Sequence, residues 1–201
     1  MKKEICKRLV SLVIILFGLS IMTFGLTYIL PSNPAEQLAE SMGAGHDREV
    51  IAKIEEKYGL NKSFGEQYIS WLKGALHGDF GMSVKYAQPV SQVLGRKLPN
   101  TIKLAVASFI LMLLISFPLG ILSAVYKDKA ADYIIRFMSF LGISLPSFWG
   151  GMMLIYLLAV NLHWLPVGGS DSFKSLIMPA ITLSLSMSAY YIRRIRAVMV
   201  E

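Results

Sequence analysis

The sequence predicts an all-α, polytopic membrane protein, with four transmembrane helices and a small helical extracytoplasmic unit between the first two. Three observations predict it. Of the 201 residues, 54% are hydrophobic and only 16% are charged, a balance that favours lipid over water as the surrounding medium. Four apolar stretches approach or exceed the roughly 20 helical residues that cross a hydrocarbon core of about 30 Å. The basic residues also gather at span ends that alternation places on one side of a membrane.

The first span, Leu9 to Leu30, holds no charged residue and stops at Pro31 and Pro34, which cannot continue a helix. Its length and the lack of a small-residue cleavage site distinguish it from a cleaved leader. The second span runs from about Ile102 to Tyr126, the third from about Ile134 to Val160, and a shorter fourth from about Leu176 to Ile192. Lys2, Lys3, Lys7 and Arg8 precede the first; Lys127, Lys129 and Arg136 separate the second and third; Arg193, Arg194 and Arg196 follow the fourth. Basic residues beside spans stay in the cytoplasm, so the amino terminus is expected there and residues 31–101 outside. The chain thus divides into residues 1–30 (amino terminus and first helix), 31–101 (outer unit) and 102–201 (three further helices). These clusters account for the formal charge of +7, and without a basic stripe interleaved with aromatics no nucleic-acid partner is expected. Cys6 is the only cysteine, which excludes an internal disulfide and a cysteine zinc site.

The outer segment is too long for a bare connector. Asp47 can cap a helix carrying Val50, Ile51 and Ile54 that ends at Gly59. Ser63 and Glu66 have capping-box spacing, and Phe64, Tyr68, Trp71, Leu72 and Ala75 then share one face, suited to packing on the outer unit or to gripping a partner. His77 to Ser83 reads as a tight turn. Its Asp79-Phe80-Gly81 spells a kinase metal-binding tripeptide, but without the companion signatures. A further short helix is expected between Gln88-Pro89-Val90 and Leu98-Pro99-Asn100.

Several motifs follow one another in order. Pro31-Ser32-Asn33-Pro34-Ala35 stands after the first span; then come Tyr58-Gly59-Leu60-Asn61, Gln67-Tyr68, Trp71-Leu72 and Gly78-Asp79-Phe80-Gly81. Pro89-Val90, Leu98-Pro99-Asn100-Thr101, Ser144-Leu145-Pro146-Ser147-Phe148-Trp149, Leu165-Pro166-Val167-Gly168-Gly169 and Met178-Pro179-Ala180-Ile181-Thr182-Leu183 complete the set. Together they resemble the permease family of dipeptide, oligopeptide and nickel importers across essentially the whole chain, with Ser32 and Asn33 departing from its Pro-Gly-Asp-Pro-Ala pattern. The resemblance implies six spans and four partners in the bacterial cytoplasmic membrane: a second homologous permease, two cytoplasmic ATPase subunits and an extracytoplasmic substrate-binding protein. It implies no cofactor on this chain, with ATP and Mg on the ATPases, and the permease is then a transport subunit and not an enzyme. Family members continue after the fourth span into a cytoplasmic loop that docks on the ATPases. The chain is therefore expected to be a C-terminally truncated form or a fragment, one that does not transport unaided.

The residues themselves offer no catalytic constellation, and no Walker A loop is present to hold phosphates. His46, His77 and His163 lack ligand spacing, so no metal site is expected on them. Ser144, Pro146 and Ser147 are candidates for the translocation pathway, because a proline within a span frees carbonyls that need other partners; a packed kink steadied by serine hydroxyls is the alternative. Trp71, Asp79 and Phe80 are candidate contacts for the binding protein. Arg193, Arg194, Arg196 and Glu201 are candidates for the approach to the ATPase-coupling loop, the arginines equally explained as topology anchors. The competing functions are an ion-coupled transporter or channel, disfavoured by spans whose centres lack ionisable groups, and a non-transporting scaffold.

Overall fold

The computed structural model describes residues 2–29, 33–170 and 172–201. Its helices are α1 (Lys2–Ile29), α2 (Pro34–Ser41), α3 (Arg48–Tyr58), α4 (Phe64–Leu76), α5 (Val90–Val125), α6 (Ala130–Ser144), α7 (Ser147–Leu154) and α8 (Phe173–Val200), with a π-helical segment, Ile155–Asn161, extending α7. The only departure from all-α among the described residues is a two-residue hairpin, Met82–Ser83 (β1) antiparallel to Gln88–Pro89 (β2), which pairs Met82 with Pro89. Two compact units result, Met1–Arg96 and Lys97–Glu201.

In the first unit local chemistry sets the helix ends. Pro31 and Ser32 lie outside the described residues. From Asn33 onward the departure from the family pattern has a use: its Oδ1 accepts the Ala35 N–H at 2.9 Å, capping α2, while its Nδ2 donates to Glu55 Oε1 at 3.0 Å. Asp47 caps α3 by accepting the Glu49 N–H at 2.9 Å, and Gly59 ends that helix at φ +65°, a left-handed geometry that glycine adopts without steric cost. At α4 the Ser63 N–H and hydroxyl both donate to Glu66 Oε2, at 3.1 and 2.7 Å. Those bonds hold the Glu66 carboxyl below its ordinary pKa. Ala35, Leu38, Ala39 and Ile54 close a small core between α2 and α3.

The aromatic face of α4 packs on α1. Phe24 meets Phe64, Tyr68 and Trp71 with ring centroids 5.6, 5.6 and 6.0 Å apart, and the Ser20 and Tyr68 hydroxyls share a hydrogen bond of 2.9 Å. Residues 64–75, read from sequence as part of an outer unit beginning at residue 31, are thus joined to the first span. From Leu9 onward α1 carries no charge and is largely exposed, as lipid contact allows. Its Ser11 and Thr23 hydroxyls turn back on their own helix, to the Lys7 and Leu19 carbonyls, which satisfies them where lipid offers no partner.

The second unit is packed on small residues. The buried positions of α5 are Ser108, Met112, Ser116, Gly120 and Ser123, and those of α8 include Ser175, Ala180, Ser184, Ser188 and Ala189. Large side chains such as Leu114, Phe117, Phe137 and Phe140 point outward. This distribution suits helices that meet in lipid, where close backbone approach and interhelical hydrogen bonds replace the hydrophobic drive. A Cβ on Gly120 would stand 2.8 Å from Ile195 Cβ, and one on Gly142 3.0 Å from Ala189 Cβ. Ser188 donates to the Met112 carbonyl at 3.5 Å across the α5–α8 contact. On α8, Ser184 and Ser188 are buried and one turn apart, and Thr182 and Ser184 bond their own helix at the Met178 and Ile181 carbonyls, 2.8 and 3.0 Å away.

Three expectations need correction. The short helix before the second span does not end at Pro99, since α5 runs unbroken from Val90 to Val125 with Pro99 and Pro118 inside it; a proline removes one backbone bond, and the surrounding turns still hold the helix. The fourth span is a 28-residue helix, longer than its apolar stretch, because the basic residues after Ile192 remain helical. The third is no single kinked helix: α6 and α7 meet at 100° across Leu145 and Pro146, both extended in backbone angle. Pro146 cannot donate an N–H and disfavours helical geometry at the residue before it, so the chain leaves the helix for two residues.

Candidate functional site

On the first unit, Trp71, Asp79 and Phe80 come together. All three line a cavity of about 570 Å³ whose walls include Phe24, Leu38, Tyr58 and Met82. The turn after α4 brings them there: the Asp79 N–H donates to the Gly74 carbonyl at 2.9 Å, and Asp79 Oδ1 accepts the Gly81 N–H at 2.9 Å. Gly74 is needed for this return, because a Cβ on it would lie 3.0 Å from the Asp79 carbonyl oxygen. Phe80 is exposed at the rim and Trp71 half-buried against Phe24. The result is an amphipathic recess with one carboxylate at its edge.

On the second unit, Ser144, Pro146 and Ser147 surround the α6–α7 break and are exposed, the serine hydroxyls holding no partner among the described residues. The kink is therefore not steadied by those hydroxyls. Around it the last carbonyls of α6 and the first N–H groups of α7 lose in-helix partners. Gly150 N–H still reaches the Pro146 carbonyl at 3.2 Å.

At the far end of α8, Arg193 and Arg194 are exposed, Arg194 donating to the Tyr190 hydroxyl at 3.4 Å, and Glu201 is exposed as well. Arg196 differs from them. It turns inward onto Asp132, Nε to Oδ1 at 2.7 Å and a terminal nitrogen to Oδ2 at 2.6 Å. Asp132 has no exposed surface and accepts two further bonds, from the Ser123 hydroxyl at 2.6 Å and the Asp128 N–H at 3.0 Å. Arg136, one of the basic residues between the second and third spans, lies 3.9 Å from the same carboxylate and is half exposed. A forked guanidinium matched to a carboxylate is the strongest geometry such a pair adopts. Sequence reasoning missed Asp132. The signal was an acidic residue at a span end within a basic cluster, but its main partner is 64 residues away.

Among the described residues no group of three or more His, Cys, Asp or Glu is placed to hold a metal ion. His46 approaches Glu40 at 3.5 Å, and His77 and His163 contact backbone carbonyls of Lys73 and Asn161.

Comparison with known proteins places the whole chain. Residues 1–105 match the amino-terminal family of binding-protein-dependent transport system membrane components, and residues 116–201 match the family described as binding-protein-dependent transport system inner membrane component. The chain belongs to this transport family. Its relatives include an oligopeptide transport system permease protein of Bacillus subtilis, 37% identical over 212 residues, which covers all of this chain and 66% of the relative. A metal-staphylopine import system permease protein of Staphylococcus aureus is 36% identical over 202 residues, and a glutathione transport system permease protein of Escherichia coli 31% identical over 201, each covering all of this chain and 65% of the relative. The chain thus spans about two thirds of the length of these curated relatives. Family and apolar helices agree on a multi-pass protein of the inner membrane.

Proposed function

We propose that this chain is the permease subunit of an ATP-driven importer that moves peptides, nickel or a metal chelate across the cytoplasmic membrane. The observation that carries the reading is the ordered match of both halves of the chain to the two parts of one transport family. Its partners are a second homologous permease, two cytoplasmic ATPases that hold ATP and Mg, and an extracytoplasmic binding protein that selects the solute. The amino terminus is cytoplasmic and residues 31–101 face outward. There the recess formed by Trp71, Asp79 and Phe80 receives part of the binding protein, an apolar surface with one acidic contact being suited to a protein partner. The break at Ser144, Pro146 and Ser147 lines the pathway, where unpaired backbone groups are tolerated beside a polar cavity. Arg193, Arg194 and Glu201 form the approach to the ATPase contact.

An ion-coupled carrier would need an ionisable group free to load and unload. Asp132 does not serve, because Arg196, Ser123 and the Asp128 N–H engage both of its oxygens. Co-purification tests the proposal: the chain is expected to bring down an ATPase pair and a second permease, and uptake in vesicles should require ATP and the binding protein. Transport by this chain alone would sink it. Within the assembled importer, Ser147→Leu is expected to slow uptake; unchanged transport would remove Ser147 from the pathway.

A further inference from the structure

Resting on that reading, we propose that Asp132 is a positioning residue that locks the end of α8 to α5 and α6, so that movement imposed by the ATPases reaches the break at Pro146 without being lost in the last turns of α8. The carboxylate has no exposed surface and ties three pieces of chain to α6: Ser123 of α5, the Asp128 amide of the connecting turn, and Arg196 of α8. Next to it, Gly120 leaves no room for α8 to slide, since even a Cβ there would lie 2.8 Å from Ile195 Cβ. The α5 end, the turn, the α6 start and the α8 end are therefore one block. Asp128 is held in that turn at φ +59°, a conformation that costs an aspartate energy unless its surroundings fix it.

The block is also geared to the rest of the unit. Arg196 shares its helix end with Arg193, Arg194 and Glu201, the groups assigned to the ATPase side. From Asp132, α6 runs on to its end at Ser144 beside the break, about 18 Å of rigid helix. An unlocked Arg196 would let the end of α8 twist independently; a locked one makes α6 its lever arm.

The test compares the wild-type importer, reconstituted in proteoliposomes with its partners, with Asp132→Asn and Ser123→Ala. Asp132→Asn keeps the volume and one acceptor but loses the charge match; Ser123→Ala removes a single bond and leaves the ion pair, so it remains informative where the first variant fails to assemble. Solute uptake and ATP hydrolysis are measured in the same vesicles. Asp132→Asn is expected to keep assembly and basal hydrolysis while solute moved per ATP falls about tenfold, within the usual range of coupling between sites, with a smaller fall for Ser123→Ala. An unchanged ratio in both variants overturns the proposal, as does a parallel loss of uptake and hydrolysis or failure of both to assemble, since each marks a purely structural residue. Absence of ATP-dependent uptake by the wild type would instead refute the importer reading.

Discussion

At the residue scale, packing in the second unit depends on atoms that are missing. Gly120 is buried and faces Ile195 and the Ile192 carbonyl, with distances from a built Cβ of 2.8 and 3.3 Å, whereas Gly18 in α1 has nothing within 4 Å. Overpacking of a tight contact costs typically about 1–3 kcal/mol, so Gly120→Val is expected to lower the thermal midpoint of the detergent-purified protein while Gly18→Val leaves it unchanged. Equal midpoints for the two variants would show that the α5–α8 contact yields freely. Residues whose partners are near in sequence were legible. Asp47, Gly59 and the Ser63–Glu66 pair act within a turn or two of themselves, and local spacing sufficed to find them. Asp132 was not, because the energy of a buried ion pair depends on a partner that only tertiary structure brings close.

At the element scale, α4 shows why a correct face can carry an incomplete assignment. The stripe of Phe64, Tyr68 and Trp71 was readable from helical spacing, but both an outer core and a partner protein suited it; the structure gives it α1 as its principal neighbour. Phe24 is the hinge of that contact, meeting three rings, and aromatic pairs of this kind contribute roughly 0.5–1.5 kcal/mol each beyond area burial. Phe24→Ala is therefore expected to speed amide hydrogen exchange across Phe64–Leu76 while exchange in α2 and α3, whose core of Ala35, Leu38 and Ile54 is separate, stays at the wild-type rate. Uniform loss of protection through all three helices would show that the outer segment melts as one piece. Prolines were the less legible signal. Pro99 lies inside a continuous helix and Pro146 ends one, because the outcome depends on whether neighbouring turns and contacts can replace the lost bond, and that information is not local.

At the scale of the whole molecule, composition and charge bias sufficed for the fold class, since lipid imposes helices on any chain this apolar. They left open whether α6 and α7 cross the membrane or return to the side they came from, because three helices qualify as spans alone and the fourth only if the bent pair counts as one. On the importer reading the pair crosses, and the contacts along α8 support it. Asp132 bonds Arg196, Gly142 sits against Ala189, and Gly151 sits against Thr182, so the pair advances steadily along α8 from its basic end. Two arms of about 20 Å set at the observed bend still extend about 26 Å, most of the hydrocarbon thickness. On that reading the basic clusters around Lys129 and Arg194 share the cytoplasm, with Trp164 outside. Single cysteines in a Cys6→Ser background check this: Glu56→Cys and Trp164→Cys are expected to react with an impermeant maleimide in intact cells, and Lys129→Cys only after permeabilisation. If Trp164→Cys were protected along with Lys129→Cys while Glu56→Cys still reacted, α6 and α7 would form a re-entrant hairpin, and the basic end of α8 would face outward.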